Sequence, residues 1–294
     1  MNYTVEPLIL NSQDDTLGAD FYRPNKGRKP PVIIMAHGFA AERKFGLPAF
    51  AEAFATAGYA VVLFDYRGFG GSTGKPRELV SPSHHLEDWR AVLNQVKKRK
   101  DIDVKKIVLW GTSFSGGHVL VTAAREKGIR AVMAQVPHVD GLASALLYPK
   151  HLLPQAMLLA AKDLAGSKLG RAPIRVPVVG TSGVRCLAAP DCYSGFMGMI
   201  QAGSTWAGLV PARILITTSQ YRPIKETGKI KCPALVIAAV EDSLIPIEAT
   251  RIAAHKIKQV QYVEWPMGHF DPYHGAWFNE NIKTQLAFLK TQLA

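Results

Sequence analysis

Short apolar blocks alternate along this chain with stretches whose apolar residues recur every third or fourth position. The blocks are Pro31 to Met35, Tyr59 to Phe64, Ile107 to Trp110, Ala131 to Val136, Ala234 to Val240 and Gln261 to Trp265. Runs of this kind predict strands, and the unbroken apolar ones predict strands covered on both faces. Between them, Leu47 to Ala57 has helical spacing up to Gly58, and Leu86, Trp89, Leu93 and Val96 share one side of an amphipathic segment. Strand, loop and helix therefore repeat, which predicts an α/β fold with a mostly parallel, doubly wound sheet. Ahead of that rhythm, Tyr3 to Leu10 and Leu17 to Tyr22 flank the polar turn Ser12-Gln13-Asp14-Asp15. They predict an N-terminal antiparallel hairpin of edge strands running into a Pro/Lys loop from Pro24 to Pro30.

The rhythm fails between Pro137 and Ile230, where helical apolar stretches, a short strand-like VPVVG and many Gly and Pro residues follow one another. We expect an inserted, mainly helical cap over 138–230 and a core made of 1–137 and 231–294. A cap lying across the carboxyl ends of the strands would enclose a substrate at the edge where such sheets bind ligands. Leu146, Leu147, Leu152, Leu153, Met157, Leu158 and Leu159 recur at helical spacing. A second cluster, Phe196, Met197, Met199 and Trp206, is read with Trp206 in a helix. Packing against the sheet accounts for most of them, and a few are expected to line an apolar pocket. No internal repeat is visible.

With 294 residues and 48% hydrophobic content, the chain can bury a large core. Lys and Arg outnumber Asp and Glu by 35 to 23, a formal charge of +12. The excess is dispersed: its densest patch, KKRKDIDVKK from Lys97 to Lys106, is broken by aspartates and carries no aromatic residues between the basic ones. That reads as a solvated helix end, and no nucleic-acid partner is expected. The apolar runs are too short for a membrane span, and the N-terminus lacks the basic start and apolar block of a signal peptide. Three cysteines, Cys186, Cys192 and Cys232, leave one unpaired under any scheme. Reduced thiols in a cytoplasmic protein fit that count best, with a Cys186–Cys192 bridge as the alternative. Gly68, Gly70 and Gly71 do not form a nucleotide fingerprint, and no Cys/His cluster has zinc spacing, so neither cofactor nor metal is expected. The oligomeric state stays open, a homodimer being one option.

The chemistry centres on Lys106 to Gly117, KIVLWGTSFSGG, which reads as a buried strand turning sharply into a helix around Ser113. In a G-x-S-x-G turn the serine is strained and needs small neighbours; here Ser115 stands where the second glycine usually does, with Gly116 and Gly117 behind it. A serine hydroxyl needs a base, and the base needs a carboxylate to hold its tautomer. Asp242 follows the Ala234 to Val240 block in EDSLIP, and His269 follows the Gln261 to Trp265 block in PMGHF.

In that order the motifs resemble the α/β-hydrolases from the Pro31 strand to the C-terminal helix. The resemblance implies Ser113 as nucleophile, Asp242 as the orienting acid and His269 as general base. It also implies an oxyanion hole built from the backbone N–H groups of Phe114 and of Phe39, the latter in the HG-x loop His37-Gly38-Phe39. Glu241 and Asp140 are rivals for the acid. Glu241 would point away from its neighbour's side of the strand end, and Asp140 could cap a helix over Gly141 to Leu147. His37 and His118 are rivals for the base. Within the fold, Ser182 to Pro223, with APDCYSGF and the closing Tyr221-Arg222-Pro223, resembles a microbial branch that includes fungal polyketide transferases and thiohydrolases. That likeness implies a hydrolase of small-molecule acyl esters or thioesters. An acyltransferase using the same residues is the alternative, and a silent ligand receptor on the same fold a more distant one.

Overall fold

The structure, a computed structural model, describes residues 2–25 and 29–294; the middle of the Pro24 to Pro30 loop lies outside them. Ten strands are present among these residues: β1 (Tyr3–Ser12), β2 (Asp15–Pro24), β3 (Pro31–Ala36), β4 (Ala60–Phe64), β5 (Asp103–Thr112), β6 (Ala131–Gln135), β7 (Arg175–Pro177), β8 (Leu209–Pro211), β9 (Ala234–Ala239) and β10 (Val260–Trp265). The α-helices are α1 (Leu47–Thr56), α2 (Pro82–Val96), α3 (Phe114–Arg125), α4 (Gly141–Ala145), α5 (Leu153–Lys168), α6 (Cys192–Gly198), α7 (Ile214–Thr217), α8 (Ile247–His255) and α9 (Gly275–Leu293).

Eight strands form one sheet in the order β1-β2-β4-β3-β5-β6-β9-β10. From β4 to β10 every pairing is parallel, while β2 runs antiparallel to both β1 and β4. Only β1 of the hairpin is therefore an edge strand. β2 is buried along most of its length because β4 takes its second side, a pairing that nothing local in the hairpin announces.

The unbroken apolar runs of β3, β4 and β9 are buried because helices cover both faces. On one face Phe50 of α1 and Phe278 of α9 lie with ring centroids 4.9 Å apart, and Phe50 sits 5.2 Å from Trp110 of β5. On the other, Trp89 of α2 packs 5.1 Å from Phe64 of β4, and α2 lies against α3. Proline in the first turn starts α1 and α2, where a missing N–H costs nothing.

Between β6 and β9 the chain leaves the sheet. This insertion carries α4 to α7 and the two-stranded ribbon of β7 and β8. Arg213 holds Asp163 of α5 at 2.6 Å, Arg175 reaches Glu78 of the body at 2.9 Å, and the Trp206 indole donates to the Ala40 carbonyl at 2.9 Å. Trp206 lies in an extended loop before β8, not in a helix; its aromatic neighbours Phe45 and Phe196 set its position rather than helical spacing. The three cysteines are free thiols. Among the described residues no helix is long and apolar enough to cross a membrane.

Candidate active site

Ser113 sits directly after β5 with φ 54° and ψ −119°, a conformation that costs a non-glycine residue about 1–3 kcal/mol. Its surroundings impose it. The Ser113 amide donates to Gln135 O at 2.9 Å, and the Ser113 carbonyl accepts from His138 N at 2.8 Å and Gly117 N at 3.2 Å. The strand and helix cross so closely that a Cβ at Gly111 would lie 2.3 Å from the Ser115 carbonyl oxygen. Ser115, where a second glycine was the expected residue, is buried without loss: its Oγ accepts from Tyr66 Oη at 2.9 Å, and Tyr66 in turn accepts from Trp89 Nε1 at 2.9 Å.

The loops after β9 and β10 leave the same edge of the sheet, and they bring the distant residues together. His269 Nε2 is 2.9 Å from Ser113 Oγ, and His269 Nδ1 is 2.6 Å from Asp242 Oδ2. The other carboxylate oxygen, Oδ1, accepts from the Leu244 and Ile245 amides, both at 2.8 Å, so the carboxylate is fixed by its own loop. Both side chains are 3% exposed. In this arrangement the hydroxyl can donate to Nε2 while Nδ1–H donates to the carboxylate.

The rival residues lie elsewhere. Glu241 is exposed, and among the described residues only its amide is engaged, donating to Met267 O. Asp140 caps α4 through the Leu142 amide at 3.1 Å and takes a bidentate hold from Arg222 at 2.7 Å on each oxygen. The helix it caps ends at Ala145, two residues short of the expected Leu147. Burial would raise the Asp140 pKa, but the Arg222 guanidinium and the cap hydrogen bonds outweigh it and hold the carboxyl below its usual value. His37 is buried with Nδ1 3.0 Å from Gly38 O, and His118 bridges His85 and Tyr221 within the core.

The loop after β3 lies on the serine: a Cβ at Gly38 would come 3.2 Å from Ser113 Cβ. Phe39 follows it, its ring in edge contact with Phe114 at 5.4 Å. Phe114 opens α3, so its amide has no acceptor inside the helix. Among the described residues no protein acceptor is paired with the Phe39 amide.

Two cavities meet at Ser113. The larger, about 140 Å³, runs between the sheet edge and the insertion and is walled by Phe39, Phe114, Leu147, Leu153, Ala156 and Met157 among others. The smaller, about 20 Å³, lies toward Phe45, Phe196, Met199 and Phe270. Of the helical apolar series in the insertion, Leu147, Leu153 and Met157 line the larger cavity while staying partly open to solvent, and Leu146 and Leu158 are exposed without lining it. His138 and Ser144 also line it, and sequence reasoning missed both. Burial drives the His138 pKa down to about 4, so its ring is neutral at pH 7.

Comparison with known proteins gives three kinds of likeness. Residues 13–177 match the family model described as X-Pro dipeptidyl-peptidase (S15 family). The quorum-quenching protein AidA of Acinetobacter baumannii is 38% identical over 282 residues, spanning 96% of this chain and 93% of that protein. The polyketide transferase af380 of Aspergillus fumigatus is 27% identical over 273 residues, 90% of each chain. Among solved structures, the alpha/beta hydrolase GrgF from Penicillium sp. sh18 superimposes with a TM-score of 0.84 over 98% of this chain and 99% of that one; at 23% identity this likeness carries the fold alone.

Proposed function

The chain belongs to the α/β-hydrolase superfamily, in the family whose model is described as X-Pro dipeptidyl-peptidase (S15 family), and from that premise we propose that it is a serine hydrolase of small-molecule carboxylic esters or thioesters. Ser113 attacks the acyl carbonyl while His269 takes its proton, and Asp242 holds the imidazole in the required tautomer and stabilises the imidazolium. The Phe39 and Phe114 amides receive the oxyanion. His269 then protonates the leaving group, and water releases the acyl group from Ser113 by the same steps. Residues 138–230 act as the cap that walls the acyl site. The observation that carries this reading is the unbroken hydrogen-bonded line from Ser113 Oγ through His269 to Asp242, at 2.9 and 2.6 Å.

The walls favour an ester over a peptide. A dipeptidyl substrate brings a free ammonium group, and among the described residues no carboxylate lines either cavity. An ammonium buried there would be unpaired, which is strongly unfavourable. The names of the relatives, a quorum-quenching protein and a polyketide transferase, support acyl-bearing small molecules as the substrate class. The second of these names also supports a further reading, acyl transfer, in which the apolar walls keep water from the acyl-enzyme long enough for an alcohol or amine to take the group.

Labelling with a fluorophosphonate, followed by peptide mass spectrometry, tests the nucleophile. The expected adduct is stoichiometric and lies on the peptide containing Ser113. An adduct on another residue, or none, contradicts the reading. Turnover of medium-chain aryl esters and acyl thioesters, with and without an added alcohol, then separates the two outcomes: free acid in both cases means hydrolysis, and an ester of the added alcohol as main product means transfer.

A further inference from the structure

Beneath Ser113 lies a group of polar side chains that the reaction described above does not use. Thr112 ends β5, directly before the nucleophile, and Tyr273 stands four residues after His269 in the connection between β10 and α9. Thr112 Oγ1 and Tyr273 Oη share a hydrogen bond at 2.5 Å. Thr112 Oγ1 also accepts from Gln135 Nε2 at 3.1 Å, and the main-chain carbonyl of the same Gln135 is the acceptor of the Ser113 amide. The Gln135 side-chain oxygen accepts in turn from Asn281 Nδ2 at 2.5 Å and Gln285 Nε2 at 3.1 Å, both on α9. Gln285 Oε1 closes the group by accepting from Trp110 Nε1 of β5 at 2.7 Å. Thr112, Gln135, Asn281 and Gln285 are all buried, and a buried polar network with its partners in place is rigid.

The segment that carries His269 depends on this group for its place. Its other hydrogen bonds shape it from within: Gly268 N donates to Asp271 Oδ2 at 2.7 Å, Tyr273 N to Phe270 O at 3.3 Å and His274 N to Asp271 O at 3.1 Å. Among the described residues, the Thr112–Tyr273 bond is the one hydrogen bond besides Ser113–His269 itself that ties the segment to β5. The 2.9 Å separation of Ser113 Oγ from His269 Nε2 therefore spans two stretches of chain whose relative position a single buried contact adjoins. Burial pushes the Tyr273 phenol up to about 12, so it keeps its proton at neutral pH and can share it with Thr112. A misplacement of about 1 Å between reacting groups can cost about 10²-fold in rate.

We propose that Thr112 and Tyr273 are positioning residues, whose hydrogen bond, backed by Gln135, Asn281 and Gln285, sets the distance between Ser113 Oγ and His269 Nε2. The inference rests on the esterase reading given above and adds to it the contact that holds nucleophile and base in register. Tyr273 also lines the smaller cavity, and Tyr273→Phe keeps that wall while removing only the hydroxyl.

The test pairs kinetics on a medium-chain ester, with kcat referred to folded protein by circular dichroism, with the ¹⁵N resonance of His269 Nε2 at pH 8.5, identified by its loss in His269→Gln. Tyr273→Phe is expected to lower kcat at least about fivefold with KM within about twofold of wild type, the split that a change in binding would not give. Thr112→Val should lose at least as much, while Thr112→Ser, which keeps the hydroxyl, should stay within about threefold of wild type. The double variant Thr112→Val/Tyr273→Phe should lose no more than the worse single one, because both remove the same bond. The His269 Nε2 resonance should move in Tyr273→Phe in the direction in which Ser113→Ala moves it. A smaller loss of kcat in Tyr273→Phe, losses that multiply in the double variant, or an unmoved resonance each overturn the positioning role while leaving the esterase reading in place. If wild type turns over no ester, the esterase reading falls and the resonance alone decides: a shift in Tyr273→Phe supports the positioning role, and none overturns it.

Discussion

At the scale of single residues, the proposed mechanism turns on which of two adjacent carboxylates serves His269. Asp242 Oδ2 meets the ring at 2.6 Å, while Glu241 is exposed on the far side of the strand end. Asp242→Asn is therefore expected to lower kcat by about 10⁴, the cost of losing the carboxylate that fixes the histidine tautomer. Glu241→Gln should leave kcat within about twofold of wild type, as surface changes usually do. Steady-state kinetics of the two variants decides the point, and the reverse ranking would shift the acid by one residue. Ser113, Asp242 and His269 were legible because each follows the end of a strand visible in the sequence, and parallel strands send such ends to one edge of the sheet. His138 and Ser144 were not. They line a cavity wall assembled with residues from α4, α5 and the loop after β9, and no spacing along the chain records that meeting.

At the scale of elements, the insertion supplies much of the wall of the larger cavity at Ser113. Its helix α5 was visible as a run of spaced apolar residues, yet the run does not say which of them reach the cavity: Met157 and Leu153 line it while Leu158 does not. Trp206 shows the same difficulty, since its partners are Phe45, Phe196 and the Ala40 carbonyl, none of them close in sequence. A cavity of about 140 Å³ is close in size to one that holds benzene, so it should accept an acyl group of about six carbons. Each buried methylene adds about 0.8 kcal/mol, so kcat/KM is expected to rise about fourfold per carbon from acetyl to hexanoyl and then level off. Ala156, fully buried in the cavity wall, offers a matched check. Ala156→Leu should move the optimum to shorter chains with acetyl turnover retained. A steady fall in kcat/KM from acetyl to octanoyl in wild type would mean that the apolar wall is packing alone.

At the scale of the whole molecule, the α/β alternation and the antiparallel start were readable because apolar runs and helical periods are local. The placement of β2 between β1 and β4, and the use of buried histidines beneath the site, depend on tertiary neighbours. Burial pushes His37, His85, His118 and His138 below the ordinary imidazole range, His138 to about 4. The unfolded chain then binds protons that the folded one does not, so stability is complete above pH about 6.5 and is lost as pH falls below it. Each such ring removes about 1.4 kcal/mol per pH unit until its folded value is reached. The melting temperature is expected to be flat from pH 7 to 8.5 and to fall steeply between pH 6.5 and 5, by several degrees per unit. A melting temperature unchanged down to pH 5 would contradict the neutral, buried state of these rings. The central claim is that this molecule is an enzyme whose nucleophile is Ser113, and the most direct measurement is kcat of Ser113→Ala on whichever medium-chain ester wild type turns over best. The account predicts a loss of about 10⁶ in kcat with a melting temperature within about 2 °C of wild type; retention of more than about a tenth of wild-type activity in a clean preparation would contradict it.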